Sequence, residues 1–302
     1  MSLVIGIDLG GTNIKLGCYT SDGDCVESKT LSTPQPSTPE RVTEAIATEI
    51  NQLQSRPHCL GIGVGTPGPT DAKGRIAQVS INLANWVNVP LADWLESKTG
   101  LPTILANDAN CAGLGEAWLG AGREFANFIL LTLGTGVGGA IVLDHQLYTG
   151  PQGTGGELGL ITINYAGPDC NSGNQGSLEQ YVSIQGIRRA TGKEPAVLAE
   201  LARSGDREAL EFWQDYGRLL GAGLASLIYV LTPDAIIIGG GISSSADLFF
   251  PATQAEIERR VLPSSRLGLQ LLPALLGNQA GSIGAARLAW GEVDSCQSNL
   301  TK

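Results

Sequence analysis

Two segments decide the fold: Ile5-Gly6-Ile7-Asp8-Leu9-Gly10-Gly11-Thr12-Asn13-Ile14 near the start of the chain, and Leu130-Leu131-Thr132-Leu133-Gly134-Thr135-Gly136-Val137-Gly138-Gly139 in its middle. Each is an apolar run, a glycine-rich polar turn and a second apolar run (Ile14 to Cys18; Ala140 to Leu143). That pattern predicts strand, tight turn, strand. Glycines there permit positive φ and let backbone N–H groups approach a ligand. A turn presenting several N–H groups is a nest for anions, phosphate above all. Two such turns predict two related halves closing on the phosphates of one nucleotide.

Working outward, Thr38-Pro39 marks a helix start, and the helix runs to about Gln54 with Val42, Ile46 and Ile50 on one face. Cys59 to Val64 and Leu101 to Ala106 read as short strands. The first ends in the rigid loop Gly65-Thr66-Pro67-Gly68-Pro69, the second in Asn107-Asp108 before a small-residue helix, Ala109 to Leu119. After the second hairpin comes a loop-rich stretch, Gly150 to Gly176, then helices, including an apolar run from Leu219 to Leu231 that reads as a buried helix. Ala235 to Ile238 is a β-branched buried strand ending in Gly239-Gly240-Gly241, and a terminal helix covers about Gly281 to Trp290. Alternating strands and helices predict an α/β fold. Strand following strand after each glycine turn excludes a plain Rossmann fingerprint, and no GxxxxGK[ST] run is present.

The 302 residues suffice for two domains with sizeable cores. With 42% hydrophobic and 16% charged residues the chain is globular. A net charge of −10 disfavours nucleic acid, whose phosphates need a basic footprint. The six cysteines lack paired spacing and the first strand begins almost at Met1, so a cytoplasmic, leaderless protein is the expectation. No apolar stretch is long enough to span a bilayer.

The two glycine turns and Ile236-Ile237-Ile238-Gly239-Gly240-Gly241-Ile242 resemble the two phosphate motifs and the adenosine motif of the actin, heat-shock chaperone and sugar kinase superfamily. Thr66-Pro67-Gly68-Pro69, Asn82-Leu83, Asn107-Asp108-Ala109-Asn110, Gly156-Glu157-Leu158-Gly159 and Leu178-Glu179 follow in the order found in ROK proteins (repressors, open reading frames, kinases). The resemblance implies two RNase-H-like domains around a central cleft. The expected boundaries are 1–119, completed by the last helix at about 287–302, and 120–286.

The implied activity is ATP- and Mg²⁺-dependent phosphorylation of a hexose, most simply glucose, at its 6-hydroxyl, by a glucokinase-like homodimer. The alternatives are another hexose, polyphosphate as donor, an ATP-driven chaperone or filament protein, or a sugar-responsive repressor. Such repressors carry a DNA-binding segment ahead of the first turn, where only Met1 to Val4 precede the strand core here.

Phosphoryl transfer needs positioning, charge neutralisation and a group to take the hydroxyl proton. Asp108 is the candidate base, with helix capping as its plain structural alternative. Asp8 is the candidate magnesium-side carboxylate, acting through water. Gly10, Gly11, Thr12, Gly134, Thr135 and Gly136 are the candidate phosphate ligands, with ordinary hairpin turns as the structural alternative, and the resemblance implies Gly239 and Gly240 as the nucleoside platform, with a tight strand-to-helix turn as the alternative. The resemblance implies Asn82, Asn107, Asp108, Glu157 and Glu179 as the sugar ligands, a role that suits carboxylates and amides because they accept from hydroxyls; taken singly, the Asn and Glu residues read equally as solvated surface. Lys15, alternating with Ile14 and Leu16, reads as a solvated strand residue. The family often carries a zinc site of one His and three Cys. Here Leu160 stands at the His position, Cys170 at the first Cys, and Ser172 and Ser177 at the others, so no zinc is expected.

Overall fold

The computed structural model describes residues 1–80 and 83–300, with the side chains of 295–300 outside the description. It divides into two compact units, one of residues 1–123, 147–156 and 278–302, the other of 124–146 and 157–277.

The first unit is built on a five-stranded sheet of β1 (Leu3–Leu9), β2 (Asn13–Tyr19), β3 (Cys25–Ser32), β4 (Cys59–Thr66) and β7 (Thr103–Asn107), in the order β3-β2-β1-β4-β7. The hairpin neighbours are antiparallel, whereas β1, β4 and β7 run parallel. Parallel strands need crossovers. Helix α1 (Pro39–Gln52) lies between β3 and β4; a small hairpin, β5 (Ala77–Ser80) with β6 (Trp86–Val89), and α2 (Leu91–Thr99) lie between β4 and β7. Leu3, Ile5 and Ile7 alternate onto the face that packs with Val42, Ile46 and Ile50 of α1 and Leu91 and Leu95 of α2. Thr38 occupies the cap position of α1, but its hydroxyl makes no capping hydrogen bond.

The other face takes α3 (Asp108–Leu119) and α9 (Ala280–Leu300), the terminal helix, which is longer than its apolar pattern indicates. The approach is backbone to backbone. A methyl group on Gly63 would come within 1.8 Å of the Ala285 carbonyl oxygen, and one on Gly6 within 2.0 Å of the Ser282 oxygen. Where α9 crosses α3, a methyl on Gly284 would lie 1.6 Å from the Cys111 oxygen.

The second five-stranded sheet repeats the strand order: β10 (Gln146–Tyr148), β9 (Val137–Leu143), β8 (Phe128–Leu133), β11 (Ala235–Gly239) and β12 (Gln270–Pro273), with β8–β9 antiparallel and β8, β11 and β12 parallel; β9, β8, β11 and β12 belong to the second unit. The central strands are buried on both faces, which is why Phe128 to Leu131 and Ala235 to Ile238 are continuously apolar. Helices α4 (Glu179–Val182), α5 (Ile184–Thr191), α6 (Pro195–Arg203), α7 (Arg207–Leu231) and α8 (Ala246–Arg260) complete the unit. Trp213 stacks on Phe249 at 5.8 Å between ring centroids, and Tyr216 donates to the Val182 carbonyl at 2.8 Å. The Leu219–Leu231 run is not buried all round: Leu220, Leu224 and Ile228 face the core, whereas Tyr229 and Val230 are exposed. An apolar run thirteen residues long winds past the single face its neighbours cover. Among the described residues no helix is long and apolar enough to cross a membrane.

Two glycines of α9 yield opposite expectations. In urea denaturation, Gly284→Ala lowers stability by roughly 1–3 kcal/mol or more, because the added carbon meets the Cys111 backbone. Gly291→Ala meets nothing within 4 Å and raises it by about 0.5–1 kcal/mol. Equal midpoints for the two variants would contradict the close α3–α9 crossing.

Candidate functional site

In the first unit the candidate residues gather at the carboxyl ends of the three parallel strands, where ligand sites of open α/β sheets are built. Asp8 is the penultimate residue of β1 and pairs with Gly65 of β4; Thr66 at the end of β4 pairs with Asn107 at the end of β7. A methyl on Gly65 would sit 3.2 Å from the Cys111 sulfur and 3.6 Å from the Asp108 Cα, so bare backbone separates the two carboxylate-bearing chain segments. Cys111 is fully buried; burial, then the charges of Asp8 and Asp108, push its thiol well above the ordinary range.

The glycine turn between β1 and β2 is fastened through its carbonyls. Gly10 N–H donates to the Asn13 oxygen at 3.0 Å, the Thr33 hydroxyl to the Gly10 oxygen at 2.6 Å and Thr33 N–H to the Thr12 oxygen at 2.9 Å. The N–H groups of Gly11 and Thr12 have no acceptor among the described residues, the condition an anion nest requires. Asp8 is half-buried beside this turn. Burial pushes its carboxyl up, and the positive charge of Lys15, its partner in register, pulls it part-way back. Lys15 is not simply solvated: its ammonium donates to the Asn278 oxygen at 3.1 Å, just ahead of α9. A methyl on Gly281, in the first turn of that helix, would lie 2.9 Å from the Asp8 carboxyl carbon. Sequence reading missed Gly281; the small-residue run Gly281-Ser282-Ile283-Gly284-Ala285-Ala286 was the available signal.

At the start of α3 the structure corrects the capping alternative. The cap is Asn107, whose side-chain oxygen accepts from Ala109 N–H at 2.9 Å and Asn110 N–H at 3.2 Å, while its amide donates to the Gly68 oxygen at 3.2 Å. Asp108 is the first helical residue and is solvent-exposed, with one carboxylate oxygen accepting from Ala109 N–H at 2.8 Å. An Asn ahead of an Asp takes the cap because the extended backbone belongs to the residue that ends the strand. Gly68, at φ +91°, is held where a methyl would meet the Val79 oxygen at 2.0 Å. Asn82 lies outside the described residues.

In the second unit the turn Gly134–Gly136 sits at the end of β8. Gly239 pairs with Thr132, and Gly240, at φ +82°, lies where a methyl would come within 2.3 Å of the Leu133 oxygen, so the proposed nucleoside glycines and this turn share one sheet end. Gly134 N–H closes the turn on the Gly136 oxygen at 2.9 Å. Glu179 accepts from Val137 N–H at 2.9 Å, immediately after the turn. Glu157 is exposed, yet the protein around its carboxyl and then the nearby charge of Glu179 raise it above the usual carboxylate range.

The donors at the zinc positions do not suit that metal. Leu160 supplies only its carbonyl, which accepts from Asn174 at 2.8 Å, and the Ser172 hydroxyl donates to the Cys170 sulfur at 3.3 Å. One thiol and two hydroxyls fall short of about four N or S ligands.

The ROK family model matches residues 4–292. The glucokinase of Thermotoga maritima is 35% identical over 305 residues, covering 94% of this chain and 96% of that protein. The xylose repressor of Bacillus spizizenii is 31% identical over 79% of this chain and 63% of its own length. The crystal structure of a ROK family glucokinase from Streptomyces griseus, in complex with glucose and AMPPNP, aligns with a TM-score of 0.80 at 34% identity over 96% of this chain and 100% of that one.

The raised Asp8 carboxyl has a measurable consequence. A group whose pKa folding raises favours the folded state most below its unfolded pKa, and that contribution is lost as pH climbs through the folded value. Asp8→Asn is therefore more stable than the parent in urea at about pH 7, and the difference closes below about pH 3, where the carboxyl is largely protonated in both states. A parent as stable as the variant at neutral pH would show that the carboxyl is not desolvated.

Proposed function

Because the chain belongs to the ROK family, and because its own Asp8 and Asp108 lie at the same sheet end, beside an open glycine turn, we infer that it is a sugar kinase, transferring the γ-phosphate of ATP to the 6-hydroxyl of a hexose, with glucose as the favoured acceptor. The observation that carries this reading is that convergence. The exposed carboxylate at the helix start after β7 stands across β4 from the β1 carboxylate, which lies next to unpaired N–H groups.

The roles follow from chemistry. The N–H groups of the Gly11–Thr12 turn suit phosphate oxygens, and those of the Thr135–Gly136 turn have the same chemistry. Asp8 suits an outer-sphere contact to Mg²⁺: it is half-buried beside the turn, and its charge is partly balanced by Lys15. The metal's contribution when bound is to neutralise the phosphates. Gly239 and Gly240 let the nucleoside lie against backbone. Asn107, having given both oxygen lone pairs to the α3 cap and one N–H to Gly68, keeps one N–H for an acceptor oxygen. Glu157 and Glu179 accept from sugar hydroxyls, and such donors relieve the like-charge repulsion between the two carboxylates. Asp108 takes the proton of the attacking hydroxyl at a carboxylate oxygen as the new P–O bond forms. Leu160 offers no side-chain hydrogen bond, so acceptor choice rests on the carboxylates and amides. The chain works without zinc, since its donor set does not suit that metal.

A coupled phosphotransfer assay with ATP, Mg²⁺ and a panel of hexoses tests the reading; glucose is expected to give the highest kcat/KM. Asp108→Asn lowers kcat by roughly 10²–10⁴-fold with hexose binding retained. Near-parental turnover of that variant, or no phosphorylation of any hexose, would defeat the assignment. Prolonged dialysis against a zinc chelator, with Mg²⁺ restored, leaves activity unchanged.

A further inference from the structure

We propose that Glu179 is a positioning residue for the second glycine turn, so that the acceptor-side carboxylate and the phosphate-side backbone form one mechanical element; this deepens the kinase reading and rests on it. The argument is geometric and lies wholly within the second unit. Oxygen Oε2 of Glu179 accepts from Val137 N–H at 2.9 Å, and a methyl on Gly136 would come within 2.5 Å of the same oxygen. A carboxylate that served only sugar hydroxyls would have no reason to commit an oxygen to the backbone of a buried strand residue.

The contact is one part of a clamp. Five residues after Glu179, Ile184 N–H donates to the Gly134 oxygen at 2.8 Å, so the segment from 179 to 184 grips the turn at both ends. From another side Gly159, two residues after Glu157, packs where a methyl would lie 2.2 Å from the Val137 oxygen. The remaining oxygen of Glu179 is approached by the Cys170 thiol at 3.9 Å, and Ser172 in turn donates to that sulfur. Hydrogen bonds through Cys170 thus brace Glu179 from the loop whose donors do not suit zinc.

Positioning and charge act in opposite directions here, and that makes the proposal testable. The hydrogen bond holds the turn in its phosphate-binding shape, whereas the negative charge beneath it repels phosphate. Glu179→Gln keeps an acceptor for Val137 N–H and removes the charge. Glu179→Ala removes both and leaves a buried N–H unpaired, a loss that weakens binding roughly ten-fold.

The experiment uses the full chain without sugar. Binding of AMPPNP with Mg²⁺ is measured by calorimetry, and exchange of the Val137 amide by NMR or mass spectrometry. In Glu179→Ala, nucleotide affinity falls about ten-fold and Val137 protection drops by a similar factor. In Glu179→Gln, affinity stays within about three-fold of the parent or tightens, Val137 stays protected, and only the hexose KM rises. Unchanged AMPPNP affinity and unchanged Val137 exchange in Glu179→Ala would overturn the proposal and leave the kinase reading standing. A parent that binds no AMPPNP would overturn the kinase reading instead, and Val137 exchange still decides the positioning role. Should Glu179→Ala fail to fold, Glu179→Gln carries the test, and a ten-fold loss of nucleotide affinity in it would refute the proposal.

Discussion

The closeness of α9 to β1 and β4 sets the geometry of the first site. Gly6 and Gly63 present bare backbone to this helix, and the distances leave no room for a single added carbon. The same helix crosses α3 through Gly284 against Cys111 and through Gly115, where a methyl would lie 2.5 Å from the Ala280 oxygen. Three elements far apart in sequence are thereby locked into one frame: the end of β1 with Asp8, the start of α3 with Asn107 and Asp108, and the first turn of α9 with Gly281 beside the Asp8 carboxylate. Phosphoryl transfer depends on holding groups to within about half an ångström. A frame of backbone-on-backbone contacts has few soft degrees of freedom with which to lose that precision.

The second sheet has the same strand order but its glycine turn is fixed differently. In the first unit Thr33, on the residue after β3, holds two turn carbonyls and leaves the N–H groups open. In the second, a carboxylate takes a backbone N–H just beyond the turn and a helix start takes a turn carbonyl. One duplicated topology therefore supports two turns, one held by a hydroxyl and one by an acid. The acid brings its charge with it, and Glu157 feels that charge.

How much of this was legible in the sequence divides along physical lines. Strand, glycine turn and strand are local signals, and both hairpins stand where the apolar runs put them. The gathering of Asp8 with Asp108 followed from their places at strand ends once the strands proved parallel. Contacts between distant segments were not legible. The partner of Glu179 lies forty-two residues away, and no spacing rule links a carboxylate to the N–H of a strand across a loop. Lys15 looked solvated because strand alternation says which face a side chain takes but not which loop crosses that face. The cap of α3 was a choice between adjacent cap-formers, Asn107 and Asp108, which propensity alone does not separate. The face of α7 at Tyr229 and Val230 shows the same limit, since apolar composition does not reveal where neighbours end.

On the kinase reading, the charge pattern resolves an apparent contradiction. The chain carries a net charge of −10, and the side chains assigned to catalysis and acceptor binding include Asp8, Asp108, Glu157 and Glu179, yet one ligand is a polyanion. That reading separates the two chemistries by atom type. Phosphate is left to neutral N–H groups, whose dipoles attract an anion without adding a counter-charge. Carboxylates are left to hydroxyls, which donate to them, and Lys15 tempers the one carboxylate beside the first turn. An acidic surface offers no long-range steering to a nucleotide. On that reading, affinity comes from short-range geometry, so the precision of a backbone turn, rather than any basic patch, governs whether phosphate is held.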